Sequence, residues 1–211
     1  MPNRAIWDSV PSSFTDPVTG LRPSRERELT ALLCFFHQKG LVPWQRVSLL
    51  PPDTTATGIA ADAIFAFSGT MICEYPLFAA GEDINVWGAM PADLIYLSSD
   101  QRTVALVENK IGGRFTSGGD HVEHGQLARQ AEYLCRSKTR RGLRQACLVL
   151  VTTVDCLRTK NYASVLANVL AHRGRNQHID GYVMRWEDIF EAVSSMGMVK
   201  PAHAVTPHAL A

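Results

Sequence analysis

The chain has 211 residues, 46% apolar and 19% charged, with a formal net charge of +1. That length can bury one sizeable core, and the balance is that of a globular protein. The near-zero net charge excludes a uniformly basic nucleic-acid coat, and no run of about 18 apolar residues exists to span a membrane.

Residues 1–23 are rich in Pro, Ser and Thr, show no periodicity, and read as an N-terminal arm. The opening "MPNRAIWDSVPSSF" lacks the apolar segment of a secretory signal. Cys34, Cys73, Cys135, Cys147 and Cys156 are odd in number and form no CxxC pair, so they read as small core residues of a cytoplasmic protein. A helix is expected from Pro23-Ser24, with Glu26 and Glu28 in its first turn, where the dipole favours acids. Leu29, Leu32, Leu33 and Phe36 form its apolar stripe, and Gly40 ends it.

Residues 43–61 read as a loop. "DAIFAF" and "TMICEYPLF" flank Ser68-Gly69, a hairpin signal. A second hairpin follows in "DLIYLSSDQRTVALVENK". The Gly-rich segment 112–125 reads as a mobile loop. "GQLARQAEYLCRSK" is a helix with Leu127, Ala131 and Leu134 inward. "QACLVLVTTV" is a strand covered on both faces. "NYASVLANVLAHRG" is an amphipathic helix, "DGYVMRW" a short strand and "WEDIFEAVSSMG" a last helix. Residues 199–211 read as a flexible tail. This order predicts an α/β protein, a mixed central sheet flanked by helices, in one domain over 24–198.

Three charges stand at one end of the second hairpin. Side chains alternate along a strand, so Glu108 and Lys110 share a face and Asn109 takes the other. A turn centred between Asp100 and Gln101 would set Asp93 opposite Glu108, about 5 Å away on one face. A loop of two or four residues gives that centring; three would need a bulge. Two carboxylates so placed repel unless something positive lies between them. Lys110 would neutralise one. A hard divalent cation, Mg²⁺ or Mn²⁺, would neutralise both, and the Asn109 carbonyl would add an oxygen. A lysine beside such a cation can orient a water for attack on a phosphoryl group. A salt-bridged strand end without chemistry is the plain alternative.

Asp93, a hairpin, then Glu108-Asn109-Lys110 resembles the signature of the PD-(D/E)XK nuclease superfamily, with "PAD" in place of "PD". The resemblance runs over residues 24–194 and implies a restriction-endonuclease-like fold. It implies a Mg²⁺-dependent nuclease, most directly an endonuclease on DNA. Asp93 and Glu108 would be metal ligands and Lys110 would position the water. A glutamate on the first helix would be an auxiliary ligand; Glu28 is preferred to Glu26 because it shares a face with Leu32 and Phe35. "GQLARQAEYL" offers Gln126, Gln130 and Tyr133 where such nucleases carry a glutamine and a tyrosine; Gln126 would contact the scissile region or the lysine. A homodimer would supply two sites for two strands. The alternative is a catalytically inactive domain of the same fold, acting as a nucleic-acid-binding or protein-interaction module.

Arg129, Arg136, Lys138, Arg140, Arg141 and Arg144 form a basic cluster suited to phosphate contact, or simply a solvated loop. His121, Glu123 and His124 lack a second ligand pair for zinc. Glu74 is either a further acid of the site or a solvated strand end. The Gly-rich loop has no GK[ST], so it is no Walker loop.

Overall fold

A computed structural model describes residues 26–46, 48–50, 69–76, 91–111, 125–159, 162–173 and 179–195. The arm 1–23, the Pro23-Ser24 cap, "DAIFAF", most of the Gly-rich loop with His121 and His124, and the tail 199–211 lie outside these residues.

The elements are α1 (Glu26–Gln38), a 3-10 turn (Trp44–Arg46), β1 (Ser48–Leu50), β2 (Thr70–Pro76), β3 (Pro91–Leu97) and β4 (Thr103–Lys110). They continue as α2 (Gln126–Arg141), β5 (Gln145–Thr152), α3 (Val154–Thr159), α4 (Tyr162–Arg173), β6 (Asp180–Arg185) and α5 (Trp186–Ser195). The strands form one six-stranded sheet in the order β1-β6-β5-β4-β3-β2. The pairs β4–β5 and β5–β6 are parallel, and the remaining pairs are antiparallel. The protein is therefore mixed α/β.

Every residue of β4 and β5 is buried. Their unbroken apolar runs are what a central strand needs when both faces are covered. Alternation divides the core in two. Ala105 and Val107 of β4, Val149 and Val151 of β5, and Met184 of β6 face α1 and α5. Val104 and Leu106, Leu148 and Leu150, and Val183 face α2 and α4.

The expected stripe of α1 is all buried: Leu29, Leu32, Leu33 and Phe36. Burying one such side chain contributes about 1.5–3 kcal/mol. Gly40 ends the helix at φ 68°, with its N–H on His37 and the Leu41 N–H on Phe36. Such a left-handed C-terminal turn favours glycine because Cβ is absent. Gly142 closes α2 in the same way, at φ 61°.

Two short elements depart from the expectation. Ser48–Leu50 lies within the expected loop 43–61, yet pairs antiparallel with β6, Ser48 opposite Val183. Three residues carry too little alternation to read as a strand; the edge of β6 supplies the order. Val154–Thr159 adds a helical turn after β5, held by the Cys156 N–H on the Thr153 hydroxyl. Among the described residues no helix is long and apolar enough to cross a membrane.

Candidate active site

The β3–β4 hairpin turns through four residues between Ser98 and Thr103. The Gln101 N–H bonds the Ser98 carbonyl, with Gln101 itself at φ 57°. The Asp100 carboxylate accepts from the Arg102 N–H at 3.0 Å and from the Ser98 hydroxyl at 2.5 Å. The Ser98 hydroxyl in turn accepts from the Thr103 N–H. The two bonds to Asp100, hydroxyl first, hold its carboxyl below the usual carboxylate range. The turn is thus centred between Asp100 and Gln101, and the pairs run from Leu97 opposite Val104 to Leu94 opposite Val107.

The next pair in that register is Asp93 with Glu108. Here the regular ladder stops. β3 stays with β2, Ala92 opposite Tyr75. In β4 the N–H of alternate residues points toward β3, and Asn109 is next in turn after Val107. Its N–H would bond Ala92 in a continued ladder. Instead it bonds Asp93 Oδ2 at 2.8 Å. The Asp93 carboxylate therefore stands where the two strands part, fastened to the main chain beside Glu108.

Glu108 and Lys110 follow Val104 and Leu106 on the α2 face. Glu108 is 1% exposed. A carboxylate so buried requires hydrogen-bond compensation, and Gln130 Nε2 donates to its Oε2 at 2.9 Å. Gln130 is itself fully buried, and its Oε1 has no hydrogen-bond partner among the described residues. Lys110, 8% exposed, is held through its carbonyl by the Thr152 hydroxyl at 2.5 Å.

No protein-family model, curated protein or solved structure matches the chain.

The site thus stands on its own residues. Asn109 looks the other way from Glu108. Its Oδ1 accepts from Trp186 Nε1 at 2.8 Å, and its Nδ2 donates to the Thr30 hydroxyl at 3.1 Å. Its side-chain amide is thereby committed to α1 and α5. Only its main-chain carbonyl, on the same strand edge as its N–H, is directed toward Asp93.

The two glutamines, Gln126 and Gln130, are both buried and one turn apart, and the bond from Gln130 holds Glu108. The signal was present in the helix phase. Gln130 falls between the inward Leu127 and Leu134, three after one and four before the other. Glu28 is exposed, and α1 lies against the face opposite Glu108. The buried side of α1 runs through Leu29, Thr30, Leu32, Leu33, Phe36 and His37, and Phe35 is only half-buried. Glu28 shares its phase with the buried Leu32 and with Phe35, yet in the first turn it is itself exposed. The side chains of Glu26 and Glu74 fall outside the described residues.

The basic cluster is spread along α2. Arg129 lies beside Gln130, and Arg136 pairs with Glu132 at 2.5 Å. Lys138, Arg140 and Arg141 occupy the last turn, and Arg144 precedes β5. Gln145 stands opposite Thr103, whereas Thr152 stands opposite Lys110. Leu150 stands opposite Glu108, so Arg144 is at the far end of β4 from the acids, about 20 Å away at a strand rise of ~3.3 Å per residue. The structure does not gather Arg140, Arg141 and Arg144 at the acidic pair.

Among the described residues, no group of three or more His, Cys, Asp and Glu could hold a metal ion. Mg²⁺ asks for less: one or two carboxylates, with water completing its shell. Asp93 and Glu108 fit that donor set. The unanswered Gln130 Oε1 fits a hydrogen-bond donor, such as a water, next to it.

Proposed function

We propose that the chain is a restriction-endonuclease-like, Mg²⁺-dependent nuclease that hydrolyses phosphodiester bonds, with DNA as substrate. One observation carries the reading: just past the last regular β3–β4 pair, Leu94 with Val107, Asp93 Oδ2 binds the Asn109 N–H beside Glu108, and Lys110 follows Glu108 on the same face. Cysteines that are all free suit a cytoplasmic setting.

Asp93 and Glu108 would hold the cation, Mg²⁺ or Mn²⁺, with the main-chain carbonyl of Asn109 available beside them. When bound, the cation lowers the pKa of a water and stabilises charge on the phosphoryl oxygen. The protein's own groups do the rest. Lys110 orients the attacking water and offsets negative charge as the water oxygen approaches phosphorus. Gln130 fixes the rotamer of Glu108 through Oε2, so the other carboxylate oxygen keeps its direction. Through Oε1, Gln130 accepts a hydrogen bond from a water at the site. Asp93 keeps its place because Oδ2 is bound to the Asn109 N–H.

A second reading is a catalytically inactive domain of this fold that only binds nucleic acid. The deep burial of Glu108 and its bond to Gln130 favour it. The two readings part on incubating supercoiled plasmid and end-labelled oligonucleotides with Mg²⁺ or with EDTA. The nuclease reading expects cleavage that needs Mg²⁺ and falls at least ~100-fold in Lys110→Ala, the span of a lost electrostatic or proton-handling group. Cleavage unchanged in Lys110→Ala places the activity elsewhere. No cleavage by a folded wild-type protein leaves the binding domain.

A further inference from the structure

Asn109 stands between Glu108 and Lys110 but faces the other way, into the layer of α1 and α5. Its neighbours in the same row of the sheet are Val151 and Met184, and Ala105 and Val107 precede it on that face of β4. An amide thus interrupts an apolar face. Asparagine is a poor strand former, and burying its amide is unfavourable without hydrogen bonds. An amide and its partners replaced together by apolar groups of the same shape would be nearly neutral. Packing alone therefore does not call for Asn109.

Both ends of the amide are taken, each by a different helix. Trp186 Nε1, at the start of α5, donates to Oδ1 at 2.8 Å. Nδ2 donates to the Thr30 hydroxyl of α1 at 3.1 Å. An indole N–H can only donate, so the amide has one orientation. The indole is held in turn, stacked on Phe190 with ring centroids 5.3 Å apart. Thr30, Asn109 and Trp186 are all buried.

The main chain at Asn109 needs such a hold. Its ladder with β5 continues, Asn109 opposite Val151, but the regular ladder with β3 has ended at Val107. On that edge the Asn109 N–H has Asp93 Oδ2 instead. Hydrogen bonds tolerate tens of degrees of misalignment, so these leave the strand some roll about its own axis. A roll of ~10° would swing a carboxylate ~4–5 Å from that axis by about 0.8 Å, beyond the ~0.5 Å that a catalytic constellation tolerates. Glu108 and Lys110, on either side of Asn109, would swing with it.

We propose that Thr30 and Trp186 are positioning residues for the acidic site. Through the Asn109 amide they fix the roll of β4, so the packing of α1 and α5 on one face of the sheet sets the aim of Glu108 and Lys110 on the other. The proposal rests on the nuclease reading for the cation that Glu108 would hold.

Three variants separate the hydrogen bonds from packing. Thr30→Val keeps the shape and removes the hydroxyl. Thr30→Ser keeps the hydroxyl and removes the methyl group. Trp186→Phe removes the indole N–H. Mn²⁺ is the probe, and its binding to the folded protein is read by electron paramagnetic resonance well below the melting temperature. Thr30→Val and Trp186→Phe are expected to weaken Mn²⁺ binding about tenfold, the lower end of what the groups behind a metal ligand contribute. Thr30→Ser should bind Mn²⁺ as wild-type protein does. A merely structural role would lower the melting temperature and leave the Mn²⁺ affinity of the folded protein alone. Hydrogen exchange adds a reading that needs no metal. Relative to the Val107 N–H, the previous one on that edge, the Asn109 N–H should exchange about tenfold faster in Thr30→Val and at the wild-type ratio in Thr30→Ser.

Unchanged Mn²⁺ affinity in Thr30→Val and Trp186→Phe would overturn the positioning role, and so would an unchanged exchange ratio at Asn109. Equal losses in Thr30→Val and Thr30→Ser would overturn it in favour of packing. Wild-type protein that takes up no Mn²⁺ removes the cation and this role with it, whereas equal binding by wild type and variants removes the role alone. Mn²⁺ binding that falls as expected, in a protein that cuts no DNA, leaves the positioning role standing and removes the catalytic assignment.

Discussion

Asp93 has one observed role, as a fastener, and one proposed role, as a metal ligand, and a pair of substitutions can separate them. Its Oδ2 accepts the Asn109 N–H at 2.8 Å where β3 and β4 part. A hydrogen bond to a charged acceptor contributes about 1.5–3 kcal/mol. Asp93→Ala deletes it and leaves the main-chain N–H without that partner. At ~2–4 °C per kcal/mol for a chain of this size, the melting temperature should fall by about 3–12 °C. Asp93→Asn keeps an oxygen for the same N–H and loses only the charge, so its fall should be about half as large. The metal role behaves differently. With Mg²⁺ at tenfold its Kd, wild-type protein should gain about 1.4 kcal/mol, a rise of ~3–6 °C. Both variants should lose that rise, because a neutral amide cannot replace a carboxylate facing the cation. Differential scanning fluorimetry with a Mg²⁺ titration reads all of this. If Asp93→Asn still responds to Mg²⁺ as wild-type protein does, Asp93 is a structural fastener and not a ligand.

Three further outcomes are expected. Gln130→Leu keeps the volume but withdraws the donor from Glu108 Oε2; Mg²⁺-dependent cleavage should drop about 10–100-fold, as when the partner of a metal ligand is removed, and an unchanged rate would dissociate Gln130 from the site. Asn109→Leu removes two buried bonds and strands the Trp186 N–H between sheet and α5, so urea unfolding should report a loss of about 2–4 kcal/mol; a loss below ~0.5 kcal/mol would mean that this amide does not tie the helices down. His37 gives a pH signature. Trp44 Nε1 donates to its Nδ1 at 3.1 Å, and burial lowers its pKa from the ordinary 6.5. The unfolded chain then binds the extra proton first, so the contribution is full above pH 6.5 and is lost as pH falls from there toward the folded-state value. Thermal melts from pH 8 to 5 should show that decline, and His37→Gln should flatten it; an equal decline in the variant would assign the acid sensitivity to other groups.

How far each feature was legible depends on the range of the forces behind it. The stripe of α1, the apolar runs of β4 and β5 and the glycine ends of α1 and α2 arise from neighbours within one or two turns of chain. Periodicity and backbone sterics express them directly. The centring of the hairpin was legible for the same reason: a four-residue loop between Ser98 and Thr103 fixes the pairs from Leu97 with Val104 to Leu94 with Val107, one step short of Asp93 and Glu108. Contacts that cross the sheet were not. Ser48–Leu50 becomes a strand only because β6 offers an edge. Glu28 stays exposed while α1 buries Thr30 and Phe36 against one face of the sheet. Gln130 reaches Glu108 because α2 meets the other face at a particular rotation. The basic residues, close together in the chain, are drawn out along a helix running away from the acids. The sequence by itself determined which side chains share a face and which residues oppose each other across the turn, since alternation and loop length are local. Only the tertiary structure decided what each face meets, because helix rotation and strand divergence are set by packing between segments far apart in the chain.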